Sequence, residues 1–252
     1  MSSDTALLFS FACVFVRCSA MLLTSPLFGA QTTPLQVRVL STLAISGALT
    51  VVLQPHIGPA PADLYGLGAA TLQEAVAGIL LGSFVNLALQ AAQIAGSLMD
   101  TQVGMGMSQV LNPINGVPGG AIAQFKFMLA TVVFLCVDGH HQMLAAFARS
   151  YTLAPTLSAS VIAGSFVSML GSMCLLAVQI AAPVLGASLV VDAALGLINR
   201  AVPQMPAMLV GLPAKTAIGL AAVGLVVPAI AGGVTTGLQL AFDNLAPIFA
   251  SR

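Results

Sequence analysis

Residues 75–99 read AVAGILLGSFVNLALQAAQIAGSLM, bounded by Glu74 and Asp100 with no Asp, Glu, Lys or Arg between them. An α-helix rises about 1.5 Å per residue and a bilayer's hydrocarbon core is about 30 Å thick, so roughly 20 apolar residues cross it. The stretch is long enough for one spanning helix. Two more charge-free runs, 150–191 and 216–242, have the same character. Over all 252 residues 58% are hydrophobic and 6% charged, against about 25% charged in an ordinary soluble domain. Too few charges remain to coat a water-soluble globule. The fold class that follows is all-α: a polytopic helical membrane protein.

Working outward, hydropathy and breaker residues predict helices over 5–24, 36–53, 67–101, 121–137, 161–198 and 207–249. Several fit a bilayer poorly. The third is on the order of 50 Å long, so it either breaks near Gly78 and Gly82 or stands partly outside the lipid. The fifth contains Pro183, which removes one backbone hydrogen bond and should kink the helix, with a hairpin there as the alternative. The last is long enough for two antiparallel helices, and Val227-Pro228 with Gly232-Gly233 is the natural turn; a hairpin is expected there. Loops rich in Pro and Gly separate these elements at Pro26–Pro34, Pro55–Pro61, Asn112–Gly120 and Asn199–Pro206. No internal repeat is visible. One domain is expected, with an N-terminal part over 1–159 and a C-terminal helical hairpin over 160–252. Two GxxxG patterns, Gly78 to Gly82 and Gly233 to Gly237, suit close approach of helix backbones.

Seven acidic and seven basic residues leave no net charge, and no basic run suggests a nucleic-acid partner. Asp4 and Arg17 do not suit a cleavable leader, so the first segment is expected to remain as a helix. Cys13, Cys18, Cys136 and Cys174 lie in apolar runs without metal-ligand spacing and read as small buried hydrophobes. No cofactor is implied.

Arg17, Glu74, Asp100, Lys126, Asp192 and Lys215 are lone charges in or beside apolar runs, where an ionised group costs at least about 2.5 kcal/mol unless paired, wet or interfacial. Lys126 and Lys215 have stems long enough to snorkel. For Arg17 and Asp192 the leading reading is buried pairing between helices or subunits, with a boundary position or a transported ion as alternatives. Asp138, His140 and His141 could be imagined as a metal site. Adjacent histidines on a helix point about 100° apart, however, so hydrogen-bonded interfacial histidines are the better reading.

The segment QVGMGMSQVLNPINGVPGG, Gln102 to Gly120, differs in kind from the other loops. It is uncharged and interspersed with Gly and Met, and reads as a flexible apolar connection between two membrane helices. Methionine is unbranched and adaptable, which suits a surface that must seal and then yield.

The blocks VRCSAMLLTSPLFG (16–29), AGSLMDTQVGMGMSQVLNP (95–113), VDGHHQML (137–144) and LGLINRAVPQMPAMLVGLPAK (195–215) resemble, in order and spacing, the FliR family of flagellar type III export proteins. The injectisome family SctT is similar in the middle and LGLINR blocks and is the alternative. The resemblance implies a gate subunit that assembles with FliP and FliQ into a helical entrance pore, behaving like a fused FliP and FliQ. Much of that assembly would rise above the inner membrane at the flagellar basal body. FlhB is the implied neighbour and unfolded flagellar proteins the implied cargo. The resemblance also places a pore plug over 103–117, with Val103, Gly104, Met105, Gly106, Met107, Val110 and Leu111 as sealing or hinge residues. Arg17, Asp192, Arg200 and Lys215 are the expected structural or interface residues, with Arg200 at a helix C-terminus where it could meet free carbonyls.

Two other function classes stay open at this level. A small-solute transporter would use Arg17 and Asp192, but the matching inverted halves usual for such folds are not visible. An intramembrane enzyme would use His140 or His141, but no nucleophile set accompanies them. No P-loop pattern is present, so energy for transport would come from elsewhere.

Overall fold

In the computed structural model the described residues are 3–29, 33–61, 63–105, 120–153, 158–201 and 207–249. They form seven α-helices: α1 Ser3–Thr24, α2 Leu35–Leu53, α3 Leu64–Val103, α4 Ala121–Cys136, α5 Gly139–Thr152, α6 Ala159–Ala201 and α7 Ala207–Phe249, with a short 3-10 turn at Gln54–His56. No strand occurs among the described residues. Five of the helices, α1, α2, α3, α6 and α7, are long and apolar enough to cross a membrane; α4 and α5 taken together qualify as a broken sixth. The protein is an all-α polytopic membrane protein.

These helices contribute to two compact units. One comprises Met1–Leu87, Val137–Leu170 and Leu238–Arg252; the other comprises Ala88–Cys136 and Gly171–Gly237. Helices α3, α6 and α7 each supply a segment to both.

In the first unit α1 buries one stripe, Cys13, Val14, Arg17, Cys18, Met21 and Leu22, spaced as one face of a 3.6-residue helix. It packs on α2 and on α3. A Cβ at Gly78 would lie 2.8 Å from the Ala20 Cβ and against the Arg17 carbonyl; one at Gly82 would meet Thr24 Oγ1 and the Met21 carbonyl. The first GxxxG pattern is therefore the groove that receives α1, and α3 runs unbroken through it for 40 residues, or about 60 Å.

In the second unit α6 and α7 run antiparallel. A Cβ at Gly211 would touch Leu195, one at Gly233 would lie 2.7 Å from Ile180 Cδ1, and one at Gly237 would lie 3.5 Å from Leu176 Cδ2.

The expected turn inside 207–249 is not formed: α7 is one helix through Pro228, Gly232 and Gly233. A turn in apolar surroundings would strand several backbone polar groups, whereas a helix through Pro forfeits only one bond. Gly233 serves close packing instead. Helix α6 likewise continues through Pro183.

A second departure is α5, which sequence reading left as the sequel of a helix ending near 137. Its buried residues, Gly139, Met143, Phe147, Ser150 and Tyr151, follow helical spacing, but its low hydropathy hid it beside more apolar neighbours. Asp138, with φ 55°, separates α4 from α5. Cys13 and Cys18 are buried as expected, whereas Cys136 and Cys174 are exposed. The outer face of a membrane helix is itself apolar, so hydropathy does not distinguish the two settings.

Candidate functional site

The uncharged segment that follows α3 is the first candidate. Its upstream foot is well defined. Val103 is fully buried and a Cβ at Gly219 of α7 would collide with its methyl groups. Thr216 Oγ1 donates to the Val103 carbonyl at 3.2 Å, and Ser188 Oγ of α6 donates to the Gln102 carbonyl at 3.2 Å. The orphan carbonyls at the end of α3 are thus taken up by hydroxyls of two neighbouring helices. Gly104 then leaves the helix with φ +87°, a conformation that favours glycine, and a Cβ there would also lie 2.8 Å from Leu212 Cδ1. Met105 is half-buried. Gly106, Met107, Val110 and Leu111 lie outside the described residues.

The downstream foot is held by a carboxylate. Asp100, 2% exposed, accepts the backbone N–H of Ile122 at 3.0 Å through Oδ1 and that of Ala123 at 2.9 Å through Oδ2. These are first-turn donors of α4 without intrahelical partners. A Cβ at Gly120 would reach Asp100 Oδ1 at 2.5 Å, and one at Gly96 would lie 2.9 Å from the Ala123 nitrogen.

Farther along α4, Lys126 shares the buried face with Ile122, Ala130 and Phe134. The expectation that it snorkels does not hold: it is 0% exposed, and among the described residues its Nζ has no hydrogen-bond partner. Sequence gave no sign of this, because an i, i+4 apolar stripe interrupted by one lysine reads equally well as a lysine at its margin.

Arg17 forms the second candidate. Its Nε donates to Glu74 Oε2 at 2.6 Å, with the two side chains 4% and 14% exposed. Its Nη1 donates to Ser150 Oγ at 2.7 Å. The guanidinium carbon lies 3.7 Å from the Tyr151 ring centre, and Tyr151 Oη donates to Glu74 Oε2 at 2.8 Å. A buried charge becomes tolerable when it is paired and hydrogen-bonded on all sides. Ser150 and Tyr151 were missed at sequence level because α5 was missed; their i, i+3 and i, i+4 spacing from Phe147 was the available signal.

Asp192 and Lys215 meet at 2.8 Å between α6 and α7, with side chains 45% and 19% exposed. Asp192 therefore has an intrachain partner, but remains half-exposed on the chain's surface. Arg200 lies exposed in the last turn of α6.

Asp138, His140 and His141 place one donor atom each within 4.8 Å of one another. His141 Nδ1 and Asp138 Oδ1 are 3.2 Å apart, both side chains 70% exposed. The group stands at the N-terminus of α5, whose positive dipole end disfavours a cation.

The family described as "Bacterial export proteins, family 1" matches residues 8–241. The chain is similar to the flagellar biosynthetic protein FliR of Caulobacter vibrioides, 33% identical over 87% of this chain and 89% of that one. It is similar also to the FliR protein of Bacillus subtilis, 32% identical over 86% of each. The surface presentation of antigens protein SpaR of Shigella sonnei is 30% identical, over 59% of this chain and 58% of its own length.

Proposed function

Because the chain belongs to the bacterial export proteins, family 1, we propose that it is a core subunit of the flagellar protein-export gate, a non-enzymatic part of the inner-membrane entrance pore. The observation that carries the reading is likeness to flagellar FliR proteins over 86% or more of the chain. Likeness to SpaR covers a smaller share, which favours the flagellar branch over the injectisome one.

In this reading the chain assembles with FliP and FliQ, and FlhB is its neighbour. Residues 1–159 act as the FliP-like part and 160–252 as the FliQ-like hairpin. Large apolar side chains that face outward on α6 and α7, Val167, Leu189, Val190, Leu197 and Leu225, supply surface for lipid and for those partners. Arg200, exposed at the end of α6, is an interface residue. The loop that starts at Val103 closes the pore at rest: its apolar residues exclude water, and a constriction of that kind gates by dewetting.

Export itself tests the proposal. Cells lacking the chain should release no flagellar proteins into the medium, and a plasmid copy should restore release. Undiminished export in the deletion strain would remove the reading.

A further inference from the structure

Helix α5, at 14 residues, is too short to span a bilayer alone, and it is two-sided: Met143, Phe147 and Tyr151 are buried while His141, Gln142 and Arg149 are exposed. Beside it runs a groove of about 390 Å³, shared with α3 and the end of α7 and lying wholly in the first compact unit. The floor is apolar, with Leu81, Leu245 and Phe249 buried in it. Ser150 also lines it, but its hydroxyl is already engaged by Arg17 and the Phe147 carbonyl. Arg149 is the cation of the lining, and no carboxylate lines the groove with it. Arg17 is neutralised by Glu74; Arg149, among the described residues, has no ion pair.

Size and charge together select an occupant. A helix with its side chains is about 10–12 Å across, too thick for such a cavity. At on the order of 30 Å³ for each water-sized group, the groove holds about a dozen of them, close to the bulk of one acyl chain. A guanidinium makes paired, charge-assisted bonds with phosphate oxygens, and a cation on a two-sided helix beside an apolar slot matches a lipid phosphate above its chain. Without a carboxylate in the lining, an ammonium headgroup finds no counter-charge there. We propose that the groove between α5 and the end of α7 binds one anionic phospholipid of the phosphatidylglycerol class, its phosphate on Arg149 and an acyl chain over Leu81, Leu245 and Phe249. The site stands apart from the reading of the segment after Val103.

The test titrates the purified full chain, with whatever subunits accompany it and stripped of lipid in detergent, against phosphatidylglycerol, phosphatidylethanolamine and inorganic phosphate, counting bound molecules by native mass spectrometry. The parent should take up one phosphatidylglycerol, and phosphatidylethanolamine should bind about tenfold more weakly. Inorganic phosphate should not displace the lipid. Arg149→Ala should weaken phosphatidylglycerol binding by about tenfold or more, as expected when a charge-assisted pair is lost. Arg149→Lys, which keeps a cation, should retain most of it. Ala246→Trp fills the slot from α7 and should abolish binding although Arg149 remains, whereas Lys215→Ala, a cation removed outside the groove, should change nothing. Equal binding of both lipids by parent, Arg149→Lys and Ala246→Trp would mean ordinary surrounding lipid and overturn the site; the headgroup comparison on the parent alone decides this if a variant fails to fold. Displacement by inorganic phosphate would overturn the lipid as ligand. If complex from native membranes retains no phospholipid and a photoreactive residue at Ala246 captures another subunit instead, a protein covers the groove and the assignment is wrong.

Discussion

The guanidinium of Arg17 and the carboxylate of Glu74 meet at 2.6 Å across 57 residues of sequence, joining α1 to α3 with Arg17 buried and Glu74 half-buried. Ser150 and Tyr151 complete the set from α5, so three helices depend on one ion pair. Removing one partner of such a pair typically costs about 3–5 kcal/mol, while replacing both by apolar groups is often neutral. Arg17→Ala and Glu74→Ala should each lower the yield and melting temperature of the purified complex sharply, and Arg17→Met with Glu74→Met should recover much of the loss. Thermal melting in detergent checks this, and additive losses in the double variant would contradict it.

Asp192 and Lys215 form the opposite case. With Asp192 45% exposed, the pair should contribute only about 0–1 kcal/mol. Asp192→Ala should shift the melting temperature little, and any effect should fade at high salt. A loss as large as that of Arg17→Ala would mean that a partner subunit buries the pair.

The groove at Gly78 and Gly82 gives a steric prediction. Because a Cβ at Gly82 would strike Thr24 Oγ1 and the Met21 backbone, Gly82→Val should push α1 off α3 and cost about 1–3 kcal/mol or more. Gly68, whose Cβ would meet nothing within 4 Å, is the control: Gly68→Ala should be harmless or slightly stabilising. Equal melting temperatures for the two variants would show that the groove is not a tight contact.

The proposed closure by the segment after Val103 predicts a chemical effect. Replacing Val110 and Leu111 by Asn and Gln should let water and small ions through while the complex still assembles, because a polar constriction no longer dewets. Conductance of reconstituted complex is the measurement; parental conductance would mean that the segment only connects two helices.

How much of this was legible follows from where the information resides. Long apolar runs mark α3, α6 and α7 because a bilayer sets a length that few other structures need. The hairpin expected at Pro228 failed because breaker residues act differently without water: the backbone keeps its hydrogen bonds and the glycines become packing sites. Arg17 could be recognised as needing a partner, but Glu74 could not be chosen among the acids, since that depends on which helices meet. Asp100 was visible as a lone charge, and its task depends on the start of α4 returning to the end of α3, which no local pattern records.

Affinity purification of the chain from native membranes, with the composition and mass of what co-purifies, tests the central claim most directly. The account predicts a stable complex with small helical membrane proteins of the export apparatus, FliP and FliQ, in fixed ratio. A monomer or homodimer that carries no such partners and binds a small solute would contradict it.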